Sequence, residues 1–141
     1  MGECIRLEYD VDGQNFASAG HASESVKRML KQMGVPALTV RRVAIAMYEG
    51  EINMVIHADG GEVEVTVGMD TITIRLTDHG PGIPDVDRAM EEGFSTAGDV
   101  ARDLGFGAGM GLPNMKRCSD DMTIDTQVGV GTTVTMQIHI N

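Results

Sequence analysis

Three short runs in this chain alternate apolar and polar residues without a break. Val63, Val65 and Val67 alternate with Glu62, Glu64 and Thr66, and Ile72, Ile74 and Leu76 with Thr71, Thr73 and Arg75. Val134, Met136, Ile138 and Ile140 do the same against Thr133, Thr135, Gln137 and His139. Successive side chains of a strand point to opposite faces, so each run has one apolar face and one wet face. A sheet built from them buries one side only, and the helices must all pack on that side. The expectation is an α+β fold, a two-layer α/β sandwich whose sheet is mixed and mostly antiparallel. A doubly wound parallel sheet, with strands apolar on both faces, is disfavoured. Gly68-Met69-Asp70 joins the first two runs as a hairpin. A shorter run from Met122 to Thr126 precedes the last. Cys4 to Tyr9, ended by Asp12-Gly13, reads as an edge or near-edge strand.

Helical spacing fills the gaps between strands. From Phe16 to Met33 the apolar positions Ala22, Val26, Met29, Leu30 and Met33 recur on one face, with Lys27, Arg28 and Lys31 opposite and Gly34 as the stop. Pro36 suits a first helical turn, and Ala37 through His57 is apolar nearly all round, as a helix packed on two sides should be. Through it runs a polar stripe. Glu49, Asn53 and His57 recur every fourth residue, on one face, among Ile45, Met47, Ile52, Val55 and Ile56. Burying a carboxylate and a carboxamide costs free energy unless each finds a partner. A bound ligand or metal is one such partner, and a satisfied structural network is the other.

A chain of 141 residues with 42% hydrophobic and 23% charged residues fits one soluble domain spanning residues 1–141. The net charge of −10 argues against nonspecific binding to nucleic acid or anionic membranes, so any phosphate ligand must be held by local donors. Cys4 and Cys118 match neither a disulfide framework nor a CxxC metal site. No apolar run approaches the roughly 18 to 20 residues that span a bilayer, and no signal peptide is recognisable. A reduced, cytoplasmic protein is the expectation.

Between Asp78 and Gly111 the chain changes character. Asp78-His79-Gly80-Pro81-Gly82-Ile83-Pro84 is followed by a short helix around Val86 to Glu92, then Gly93-Phe94-Ser95-Thr96 and a polar stretch. Such a segment inside a compact domain reads as a functional lid. Glycines at 105, 107, 109 and 111, directly before a helix that starts with Leu112-Pro113, let backbone amides approach an anion facing the helix dipole. This reads as a phosphate cradle or, viewed alone, as a flexible hinge. It is neither the dinucleotide fingerprint nor a P-loop, since Gly-x-Gly-x-x-Gly and Gly-Lys-Ser/Thr are both missing.

Taken together, these pieces resemble the GHKL ATPase superfamily, named for gyrase, the heat-shock chaperone, histidine kinases and MutL. Glu49 and Asn53 match its N box, Asp78-His79-Gly80-Pro81-Gly82 its first glycine box, and Gly105 to Gly111 its second. Gly129-Val130-Gly131-Thr132 matches the motif that enters its last strand. The resemblance covers about Phe16 to Ile140 and implies the Bergerat ATP-binding fold, with a lid over the nucleotide. Glu92-Gly93-Phe94-Ser95-Thr96 and Gly109-Met110-Gly111-Leu112-Pro113-Asn114-Met115-Lys116-Arg117 look most like the bacterial anti-sigma-factor serine/threonine kinases and the related stress-signalling switch kinase.

That resemblance implies an ATP- and Mg²⁺-dependent protein kinase acting on a serine or threonine of a small antagonist protein. A sigma factor is a further partner it admits, and a homodimer an assembly it permits. Asp78 would hydrogen-bond the adenine amino group, with Thr132 supporting it through water, and Gly82 would leave room for the ring. Gly80, Ile83, Gly105, Gly107, Gly109, Met110, Gly111 and Leu112 would complete the nucleotide site. Asn53 would ligate Mg²⁺ and Glu49 would act as general base. Arg102 and Lys116 are candidates for offsetting phosphate charge, or else solvated surface charges.

Two other readings stand beside it. One is a nucleotide-gated binding module without transfer activity. The other is a histidine-kinase catalytic domain, for which His21 lacks the expected sequence context. Gly50 and Met54 depart from the family's usual alanines, which suggests a roomier site. Glu51 is read as a surface or supporting group, His57 as a helix-end cap or a nucleotide contact, and His79 as a loop residue. The eleven methionines are read as core filler, exposed ones excepted.

Overall fold

The computed structural model describes residues 4–13, 19–58, 60–83, 85–86, 90 and 111–140. Five strands form one sheet: β1 (Ile5–Asp12), β2 (Gly60–Val67), β3 (Thr71–Asp78), β4 (Asp121–Gln127) and β5 (Gly131–His139). Among the described residues three helices accompany it: α1 (His21–Gln32), α2 (Ala37–Ala58) and α3 (Gly111–Cys118). The strand order is β1-β2-β3-β5-β4, and each of the four pairings is antiparallel. The described sheet is thus more uniform than the mixed one expected. The reason is the β4–β5 hairpin, which turns at 128–130 and inserts β5 beside β3, so no neighbouring pair needs a parallel crossover.

The alternation assigns the faces as the sequence required. Val63, Val65, Val67, Ile72, Ile74, Leu76, Val134, Met136 and Ile138 are buried against Val26, Leu30, Val43, Met47, Met54 and Met115 from the helices. Gly68 closes the β2–β3 turn with its N–H donating to the Thr71 carbonyl at 3.0 Å, and β1 lies at the sheet edge.

Helix α1 ends as its sequence dictates. Gly34, at φ +80, takes the left-handed position, and the Val35 N–H donates back to the Leu30 carbonyl at 3.1 Å. Its start, at His21, is set by a tertiary contact. Glu51 on α2 is 2% exposed, and its carboxylate accepts from the N–H groups of Gly20 (3.2 Å), Ala22 (3.0 Å) and Ser23 (3.0 Å). The surface role read for Glu51 is therefore corrected: it satisfies the orphan donors of α1 from inside the core.

Helix α2 packs between α1 and α3 over the sheet. Gly50 does not enlarge a ligand site, because a side chain there would collide with Leu76 on β3. Met54 likewise points to the sheet, where its Cε closes over Gly61. The expectation of a roomier site is corrected on both counts: the missing volume at Gly50 lets α2 sit close to β3. Helix α3 is held at its C-terminus by Arg42. That guanidinium donates through Nε to the Cys118 carbonyl at 3.0 Å and pairs with Asp120 at 3.0 Å, complementing the dipole's negative end.

The Met90 N–H donates to the Val86 carbonyl at 3.0 Å, a helical i to i−4 bond. The remainder of the expected Val86–Glu92 helix, the lid residue Arg102, and Gly105, Gly107, Gly109 and Met110 lie outside the described residues.

Candidate functional site

Asp78 occupies a core position without a core side chain. It continues the inward stripe Ile72, Ile74, Leu76 to the end of β3, and its Cα pairs with that of Thr132 at the start of β5. Asp78 Oδ1 accepts from the N–H of Gly80 at 3.0 Å and of Thr132 at 3.2 Å. Thr132 therefore supports the carboxylate directly through its backbone. Both of these bonds fall on Oδ1. Gly80 lies against Ala58 at the end of α2, where a Cβ would come within 2.6 Å of Ala58 Cβ. Gly82, at φ +80, passes close over Gln127 and Val128, and the Gly129 N–H donates to the Pro81 carbonyl at 2.9 Å. The loop after β3 is thereby clamped to the β4–β5 turn.

Thr126, a residue the sequence reading passed over, locks that clamp. Its Oγ1 accepts from the Ile83 N–H at 2.9 Å and lies 2.9 Å from Thr132 Oγ1 and 3.3 Å from the Gly131 carbonyl oxygen. The signal was present in the alternation, since Thr126 and Thr132 end two inward stripes that are otherwise apolar and pair across the hairpin.

The stripe on α2 faces this corner and α3. His57 is half-buried; burial pulls its imidazole below the ordinary histidine range, and the Asp78 carboxylate opposes that. One turn earlier, Asn53 donates through Nδ2 to Met115 Sδ at 3.8 Å, a weak contact. The N-terminus of α3 comes so close that a Cβ on Gly111 would be 2.8 Å from Asn53 Oδ1. One turn earlier again, Glu49 is half-buried beside α3. Burial raises its carboxyl above the ordinary glutamate range, and a hydrogen bond from the Asn114 side chain offsets part of this. Asn114 in turn accepts from Arg117 at 3.1 Å.

Asp78, His57, Asn53, Gly111 and Glu49 thus follow one another along a single line. Leu112 packs on the core cluster, while Lys116 is exposed, its position falling on the side of α3 away from Gly111 and Met115. His79 is an exposed loop residue, with Nε2 3.7 Å from Glu62. Among the described residues, no group of three His, Cys, Asp or Glu is placed to hold a metal by itself.

Residues 15–138 match the family model described as the histidine kinase-like ATPase domain. This chain belongs to that family. Among its relatives, the serine/threonine-protein kinase RsbT of Bacillus subtilis (strain 168) is 31% identical over 137 residues, spanning 93% of this chain and 91% of RsbT. An anti-sigma F factor of Clostridium botulinum (strain Eklund 17B / Type B) is 29% identical over 143 residues, spanning 97% and 94%. The crystal structure of the RsbU and RsbW domains of Rv1364c from Mycobacterium tuberculosis superposes with a TM-score of 0.65 at 15% identity. That match covers 95% of this chain and 32% of the other, and it carries the fold alone. The histidine kinase-like ATPase fold agrees with the two-layer sandwich expected from the alternating strands and with the resemblance carried by the N box and glycine boxes. Among the described residues, no helix is long and apolar enough to cross a membrane.

Proposed function

We propose that this protein is an ATP-dependent serine/threonine protein kinase of the anti-sigma-factor type, transferring the γ-phosphoryl group to a serine or threonine of a small antagonist protein. The observation that carries the proposal is the unbroken polar line from Asp78 through His57 and Asn53 to Glu49, bordered by the start of α3. Asp78 Oδ2 takes the adenine amino group, while Oδ1 stays with Gly80 and Thr132. Gly82 and Ile83 border the ring, and Gly111 with the glycines before it receives the phosphates.

The donor set suits Mg²⁺. A neutral carboxamide oxygen at Asn53 is enough for an ion that arrives with triphosphate oxygens and keeps several waters. When bound, the ion neutralises phosphate charge. Glu49 lies one helical turn from Asn53, and as a carboxylate it orients the incoming hydroxyl and accepts its proton. Its raised proton affinity makes it a better base than a solvated glutamate. The kinship with RsbT and the anti-sigma F factor supports the reaction type, and it extends the proposal to a sigma factor as second partner and to a homodimer.

The test is incubation with ATP labelled at the γ-phosphate, Mg²⁺ and candidate antagonist proteins. Label should reach a serine or threonine with the parent protein, whereas Glu49→Ala should bind ATP and lose transfer by about 100-fold or more. Tight ATP binding by the parent without transfer to any candidate would favour the nucleotide-gated binding module.

A further inference from the structure

We propose that the outward face of α2, alongside the turn that carries Glu49, is a docking surface for an acidic amphipathic helix of a partner protein. Leu38, Arg41, Ile45 and Tyr48 recur at helical spacing on the side of α2 turned away from the sheet. They are exposed, Leu38 to 71%, Ile45 to 36% and Tyr48 to 40%. Elsewhere α2 spends its apolar residues on the core, so a stripe of large apolar side chains in water marks a surface that a partner covers. From Leu38 to Tyr48 it runs roughly 15 Å, three turns, which is the reach of a short helix laid alongside.

Charge decides what kind of helix. The three helices carry seven Lys and Arg against Glu24, Glu49 and Glu51, a net of +4. The five strands carry Arg6 and Arg75 against eight carboxylates, a net of −6. Among the described helices and strands the base therefore lies on the helices and the acid on the strands. Glu49 and Glu51 are engaged by Asn114 and by the start of α1, which leaves Glu24 as the exposed acid of the described helices. Arg41 sits inside the apolar stripe. Lys27 lies on α1 one turn after the Ser23 that meets Glu51 on α2, so α1 adds a cation to the same helical layer. An apolar strip in a cationic layer fits a helix with apolar anchors and flanking carboxylates. A second copy would set Arg41 against its own kind, and an anionic bilayer would meet a protein of net charge −10.

The test uses a fluorescein-labelled synthetic helix about 18 residues long, long enough to hold helical structure, with leucines at i, i+3, i+4 and i+7 and glutamates on its flanks. Its lysine-flanked twin is the control. Fluorescence polarisation should show saturable binding of the acidic peptide alone, weakened by added salt and by about tenfold in the double variant Arg41→Glu, Ile45→Asp. Both positions are exposed, so the variant's melting temperature and ATP affinity should match the parent's. Failure of the acidic peptide to bind, or equal binding by the variant, overturns the proposal. So does a parent dimer that the variant dissolves in sedimentation, which would make the face a self-interface. Binding of the parent to phosphatidylserine vesicles that the variant loses would overturn it in favour of a membrane.

Discussion

Glu49 and Glu51 are two residues apart on one helix and do unrelated work. Glu51 is sealed in the core, and truncating it to Ala would strip three backbone N–H groups of their acceptor, costing about 3 kcal/mol of stability in denaturant unfolding. Burial pushes its pKa above the ordinary glutamate value, with the Ser23, Ala22 and Gly20 hydrogen bonds opposing. A folded-state pKa that is raised means the folded protein binds the proton more tightly than the unfolded chain does. The contribution is then fully present below the unfolded pKa and is lost as pH rises through the folded one. The stability advantage of the parent over Glu51→Gln should therefore grow as pH falls from 7 toward 4.

The same sign governs the base proposed at Glu49. The acid limb of the transfer rate should lie above the ordinary glutamate range, and Asn114→Leu, which removes the opposing hydrogen bond, should move it to still higher pH. An unchanged limb would show that Asn114 does not act on the base. The stripe itself was legible in the sequence because fourfold spacing is visible there. The role of Glu51 was not, because its partners lie 28 to 31 residues away and only the packing of α1 on α2 brings them together.

At the scale of elements, alternation and turn residues gave the strands, their faces and the β2–β3 hairpin. They could not give the start of α1, which rests on Glu51, nor the seat of α3, which rests on Arg42, because both contacts are tertiary. Asp120, which shares Arg42, is held below the usual aspartate range by the His139 N–H first and Arg42 after it. Its support for this junction is present above the ordinary aspartate pKa and is lost as pH falls through the depressed value. Gly50 was noticed as a departure from the family's usual alanine and misread for its purpose. Ala at this position gains up to about 1 kcal/mol of helix propensity but must push into buried Leu76, an overpacking cost of about 1–3 kcal/mol. Thermal unfolding of Gly50→Ala should show a net loss of stability, with the β3 side of the core loosened first in hydrogen exchange.

For the whole molecule, the sequence conveyed one sheet, one helical layer and a polar stripe on the second helix, and left unseen the separation of charge between the described strands and helices. That separation emerges only once the strands and helices are assigned to opposite sides. The central claim is that Asp78 and the α2 stripe serve one nucleotide. Isothermal titration of ATP and Mg²⁺ into the parent and into Asp78→Asn tests it most directly. Asn must keep its single oxygen for the N–H groups of Gly80 and Thr132, which turns its NH₂ toward the adenine amino group, donor against donor. The expected result is a loss of affinity of about 100-fold, near 3 kcal/mol, with the fold intact by circular dichroism. An Asp78→Asn protein that binds ATP as tightly as the parent would contradict it.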